Sequence, residues 1–194
     1  MSIMKKINYS LLSERGVVCY IFMCIERYLL KLYPEYDWKP LAKNMWELTD
    51  HWWEEDYEEW FYYKVVPSYI LQFDSYNDAC FYDNAWKLSE DDYKGITVIY
   101  RSIEKERSFE EFDWLLYVPM LFVGIVYEDG KRKTDYYLDN SNYKYITEVE
   151  NILLKYGIEL PDDFVLEPFK YEEKKIWIPY RKKDTTVLSI ILSS

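Results

Sequence analysis

The twenty-residue segment from Ser13 to Leu32 limits most strongly what this chain can become. Val17, Ile21, Cys24, Tyr28 and Leu32 recur at helical spacing, and Val18, Phe22, Ile25 and Leu29 fill the neighbouring face. A helix that is apolar over so much of its circumference has to be covered on more than one side. The segment therefore predicts a central helix with other helices around it. Tyr33-Pro34 ends it, because the residue before a proline is pushed out of the α region.

The remaining elements are read from caps and breakers. A second helix is expected after Asp37, a suitable N-cap, with Pro40 in its first turn, running to the region of Trp60. Pro67 marks a break, and Val65–Phe73 reads equally as a short helix or a strand, with loop over Ser75–Asn84. A third helix starts at Ser89, with Asp91 and Asp92 where negative charge suits the helix dipole. Tyr93, Ile96, Ile99, Tyr100 and Ile103 form its apolar stripe.

Ser108-Phe109-Glu110-Glu111 reads as a capping box for a fourth helix through Leu115, Leu116 and Met120. The run Val123–Tyr127 before Asp129-Gly130 is assigned to that helix, the rival being one strand of a small β-hairpin around residues 121–138. Thr147-Glu148-Val149-Glu150 reads as a second capping box, and Gly157 as a helix stop. Beyond it, Pro161, Pro168 and Pro179 predict an irregular segment with short strands at Ile176–Ile178 and Val187–Leu192. The expected fold is mainly α: a single-domain helical bundle over residues 1–194, with a helical core over 1–157 and a loop-rich C-terminal wrap over 158–194.

Charge and motif content narrow the function. Lys and Arg number 24 against 35 Asp and Glu, a net charge of −11, which argues against nucleic acid as a partner. Five glycines in 194 residues leave no glycine-rich phosphate loop. The short basic clusters Lys131-Arg132-Lys133 and Arg181-Lys182-Lys183 are flanked by Asp129, Asp135 and Asp184 and read as solvated turns. Trp114–Tyr127 is too short to span a bilayer, which takes roughly 20 apolar residues. Three cysteines, Cys19, Cys24 and Cys80, make no disulfide framework, and no small-residue cleavage site follows the Val17–Ile25 run. A cytoplasmic, reduced protein without membrane contact is expected.

His51 is the one histidine, so any Ser-His-Asp or Cys-His nucleophile system must use it. His51 and Glu55 stand at i,i+4, but no second His or Cys pair completes a transition-metal set. Pairs such as Glu54/Glu58 or Glu110/Asp113 have acid–base chemistry in principle, as do many pairs in an acidic chain. No catalytic residue, metal site or cofactor is assigned, and the chain is expected not to be an enzyme.

Residues 35–60 are unusual. Nine acids face two lysines there, together with Trp38, Trp46, Trp52, Trp53, Tyr57 and Trp60. On one continuous helix, Leu41, Met45, Leu48 and Trp52 share a core stripe, and Trp46, Trp53, Tyr57 and Trp60 share a second, roughly opposite. Glu47, Asp50, Glu54 and Glu58 run beside the second stripe. The expected partner-binding residues are therefore Glu47, Asp50, Trp53, Glu54, Tyr57, Glu58 and Trp60: rigid aromatic anchors with an anionic rim that steers a basic partner. The competing reading is a helix buried on both aromatic edges.

The stretches Tyr33-Pro34-Glu35-Tyr36-Asp37-Trp38 and Glu54–Trp60, with the length, acidity and wealth of Trp and Tyr, give a chain that resembles the immunity proteins of bacterial polymorphic-toxin systems. The resemblance implies an antitoxin-type inhibitor that binds a cognate toxin protein with a basic surface, blocking its active site or a nearby surface. Two other readings stay open. One is a small-molecule-binding or enzymatic domain with an aromatic pocket near His51. The other is a structural or oligomerisation subunit.

Overall fold

A computed structural model describes residues 12, 14–50, 57–82, 88–122, 126–128, 131–133, 143–162 and 188–194. The apolar segment at the start forms the longest helix, α1 (Glu14–Leu32). Both faces read from its sequence are buried, from Val17 to Leu29, with Leu32 half-buried at the end. Among the described residues it is covered chiefly by α2 (Lys39–Asp50), α7 (Phe109–Tyr117), the 3-10 turn Val118–Phe122 that follows α7, and α8 (Tyr143–Lys155). The fold is mainly helical, as the periodicity requires. Tyr20 on α1 donates to Glu150 on α8, the Tyr28 and Tyr156 rings meet at 5.6 Å, and Arg27 Nη1 donates to the carbonyls of Glu159 and Leu160. These partners advance together along both segments, so α1 and α8 run in the same direction.

The expected helix from 38 to 60 is two helices. α2 is described to Asp50, and α3 (Tyr57–Val65) packs against it. Glu47 Oε2 on α2 accepts from Lys64 Nζ on α3 at 2.8 Å. In one straight helix those residues would be about 25 Å apart at 1.5 Å per residue. α2 and α3 are therefore not parts of one straight helix, and residues 51–56 between them lie outside the described residues.

Asp37 Oδ1 accepts from the Lys39 N–H at the start of α2, as its N-cap chemistry suggests. Residues 64–86 contain α4 (Pro67–Ile70) and α5 (Tyr76–Tyr82), both helical. Val66 has no side-chain acceptor with which to cap α4. Asp113, from α7, accepts the Ser68 N–H at 2.7 Å and fills that role.

α6 (Glu90–Ile103) matches its sequence reading closely. Ser89 Oγ accepts from the Asp92 N–H at 3.1 Å, and the whole Tyr93–Ile103 stripe is buried. The two expected capping boxes do not form. Ser108 precedes α7 in the αR conformation without capping it, and its hydroxyl is 2.6 Å from that of Tyr33. α8 starts at Tyr143, so Thr147 lies inside it and donates to the Tyr143 carbonyl. The stop at Gly157 is as expected. With φ at +66°, its N–H reaches Leu154 O and the Ile158 N–H reaches Leu153 O, the paired bonds of a Schellman motif.

The helical assignment of Val123–Tyr127 is corrected at its end. α7 tightens to a 3-10 turn at Pro119, whose ring conflicts with the carbonyl four residues back. Then β1 (Val126–Glu128) pairs antiparallel with β2 (Lys131–Lys133), Tyr127 opposite Arg132. The expected strand at Val187–Leu192 is not one either: Leu188–Ser194 is wound into a turn. The expected strand at Ile176–Ile178 lies outside the described residues.

Candidate functional site

The residues singled out from the sequence fall on different elements. Glu47 is half-exposed on α2 and engaged by Lys64, so it ties α2 to α3. Asp50 lies on α2, while Tyr57, Glu58 and Trp60 lie on α3, and the side chains of all four fall outside the described residues. Trp53, Glu54 and the alternative centre His51 lie outside the described residues altogether. Because α2 and α3 are not one straight helix, the continuous two-stripe projection does not carry across them. Trp46, the first member of the aromatic stripe, is fully buried. Its ring packs edge-on against Phe22 at 5.4 Å, and its indole N–H donates to Glu26 Oε1 at 2.8 Å. Leu41, Met45 and Leu48 are buried, as their core stripe requires.

Half-exposed aromatic rings gather elsewhere. Tyr62 on α3 stacks on Tyr69 of α4 at 4.9 Å and lies 5.5 Å from Tyr117 of α7. Tyr117 stacks on Trp114 one turn earlier, and Trp114 meets Tyr145 of α8 edge-on at 5.9 Å. On the other side, Tyr63 is edge-on to Tyr69 and tilted against Phe73. Six of these seven rings are half-buried; only Phe73 is sealed. They form one strip, ring against ring, over α3, α4, α7 and α8.

Local sequence explains how the strip is built. Trp114 and Tyr117 are three apart, so they lie on one face of α7, which Glu110 and Asp113 share. Pro67 turns the chain sharply after α3 and brings Tyr69 back over Tyr62. Lys144 Nζ sits 4.7 Å from the Tyr145 ring centre, a cation over a π face at the strip's end. The strip was not singled out from the sequence because its rings belong to four elements. The only local signal was the i,i+3 pair on α7.

Two charged features complete the picture. Glu26 is buried in the middle of α1, and burial pushes its carboxyl up against the lowering effect of bonds from Ser189, Trp46 and the backbone of Ile190 and Ile191. Its signal in the sequence was a charge on a helix apolar all round. At the α7–α8 junction, Glu111 accepts from Lys155 Nζ and from the Tyr156 hydroxyl, both at 2.6 Å. Burial alone would raise its carboxyl, but those two bonds outweigh it and hold the group below the usual range. Burial likewise pushes the Cys24 thiol up to about 12, which leaves it protonated as a small apolar side chain.

An open groove of about 360 Å³ lies between the start of α5 and α6, lined among others by Glu90, Lys94 and Arg101. Within it, Lys94 pairs with Glu90, and Arg101 donates to the Phe73 carbonyl. Among the described residues no three His, Cys, Asp or Glu side chains gather as a metal site, and no helix is long and apolar enough to cross a membrane. Comparison with protein-family models, with curated proteins and with solved structures finds no match.

Proposed function

We propose that this chain is a binding protein of the immunity type, which inhibits a cationic toxin domain by docking on it. One observation carries the reading: half-exposed Tyr and Trp rings in mutual contact on a molecule of net charge −11. Such rings offer large, rigid contact area with few rotors to freeze, and they are enriched where binding energy concentrates. The anionic background raises the encounter rate with a basic partner. α3 links the two halves of the reading. Glu58 stands near its start, Tyr62 and Tyr63 near its end, and Asp50 and Glu54 precede it in the chain. The acids steer, and Tyr62, Tyr69, Trp114 and Tyr117 anchor.

The test is association with a candidate toxin domain, measured by surface plasmon resonance at low and high salt. Trp114→Ala and Tyr117→Ala should each weaken binding by about 2 kcal/mol, mainly through faster dissociation. Replacing Asp50, Glu54 and Glu58 together by Lys should slow association and flatten its salt dependence. Affinity unaffected by either set removes the corresponding surface. Affinity unaffected by both removes the docking model.

A further inference from the structure

Leu188–Ser194 returns to the centre of the molecule and lies against α1 and α2. The Ser189 hydroxyl and the Ile190 N–H, the latter at 2.8 Å, both donate to the Glu26 carboxylate, which also takes the Trp46 indole N–H. Ser189 Oγ accepts the Leu192 N–H at 3.0 Å, so the segment is wound into one turn with its first amides aimed at the carboxylate. At the far end, Lys39 Nζ reaches Ser194 O at 3.2 Å. Among the segment's aliphatic side chains only Ile191 is buried; Leu188 and Leu192 are half-buried and Ile190 is exposed. The segment is held by buried Ile191 and Ser189, by Leu188 and Leu192 packed part-buried against the core, and by a few hydrogen bonds, a contact set small beside that of the helices beneath.

The floor under the turn does not depend on it. Trp46 is held by Phe22, and Phe22 in turn stacks on Phe61 of α3. Thr49 donates to the Trp46 carbonyl. When the turn lifts, Glu26 keeps its indole partner and presents its remaining lone pairs to an N–H donor.

We propose that the α1–α2 cleft floored by Glu26 is a peptide-turn-binding site, and that Leu188–Ser194 is its resident ligand, held as a detachable strap. The ligand class is a short turn that opens on serine and continues with two aliphatic residues whose amides point inward. Ser189 and the next two amides satisfy the carboxylate, and Ile191 fills the apolar part of the cleft.

Amide-resolved hydrogen exchange on the full chain tests this. The amides of Ile190, Ile191 and Leu192 should exchange about tenfold faster, or more, than those of Ile21–Ile25 in α1. Glu26→Gln sets an amide N–H₂ against N–H donors, and Ser189→Asp sets a second carboxylate against the first. Each should speed exchange in the strap about tenfold further, and Ser189→Asp, which leaves the Trp46–Glu26 bond in place, should leave α1 and α2 unchanged. Ser189→Ala, the mildest change, carries this arm if either of the others fails to fold. A fluorescein-labelled peptide with the sequence of residues 188–194 should bind the Ser189→Asp protein and not the wild type, whose cleft is filled. Strap amides that exchange in step with α1 in the wild type would overturn the strap. An opened strap in Ser189→Asp without peptide binding would overturn the site.

Discussion

Single side chains decide more in this protein than its helical outline suggests. Several tyrosines pack their rings in or against the core and spend their hydroxyls on distant carbonyls. Tyr100 donates to Val65 O at 2.6 Å, Tyr93 to Phe73 O and Tyr28 to Ser108 O. Burial raises each of these phenols, so they stay protonated and act as donors. Tyr100→Phe leaves a buried carbonyl without that donor and should cost about 1–2 kcal/mol in urea unfolding. Gly157→Ala should cost about 1 kcal/mol, since φ at +66° is strained for any residue with a Cβ, although the Cβ itself would meet open space. Glu26 gives a pH signature. Its carboxyl is raised in the folded state, so its contribution is complete below the ordinary glutamate value of about 4.3 and is lost as pH rises through the raised value. Unfolding free energy measured from pH 4 to 7 should carry that loss in the wild type and not in Glu26→Gln.

Elements are joined by groups whose sequence roles were read differently. Ser108 and Glu111 have the spacing of a capping box, yet Ser108 meets Tyr33 and Glu111 meets Lys155 and Tyr156. Tertiary partners outcompeted the local cap because they tie α7 to the end of α1 and to α8 at once. If Ser108 acts through Tyr33, then Ser108→Ala and Tyr33→Phe remove the same bond. Their double-mutant cycle should show a coupling of about 0.5–1 kcal/mol, whereas a helix-capping serine would give additive losses. The Glu111–Lys155 pair works the other way in pH. Its carboxyl is lowered, so its contribution is present above about 4.3 and is lost as pH falls through the lowered value. With both partners partly exposed, Glu111→Ala at pH 7 should cost no more than about 1 kcal/mol in thermal unfolding.

For the molecule as a whole, the proposed docking reading has a charge prediction of its own. A partner drawn by a field of −11 should associate more slowly as salt rises, while its dissociation, set by the aromatic strip, should change little. Stopped-flow association between about 50 and 500 mM salt checks this over a range in which the screening length falls severalfold.

What the sequence determined by itself is the set of local periods and stops: α1 with both buried faces, α6 with its Ser89 cap, and the glycine stop after α8. Each rests on residues within a turn or two of one another, so their pattern is complete in the chain. Three things only the tertiary structure decided. α3 packs beside α2 through Glu47 and Lys64, although no proline or glycine stands between Asp50 and Tyr57 in the sequence. Trp46 is buried because Glu26, twenty residues earlier, accepts its indole N–H. The Glu26 carboxyl finds partners inside a largely apolar helix because Ser189 and Ile190, more than a hundred and sixty residues later, supply the other donors. Periodicity tells which faces must be covered. Which distant segment covers them depends on long-range closure that no local pattern encodes.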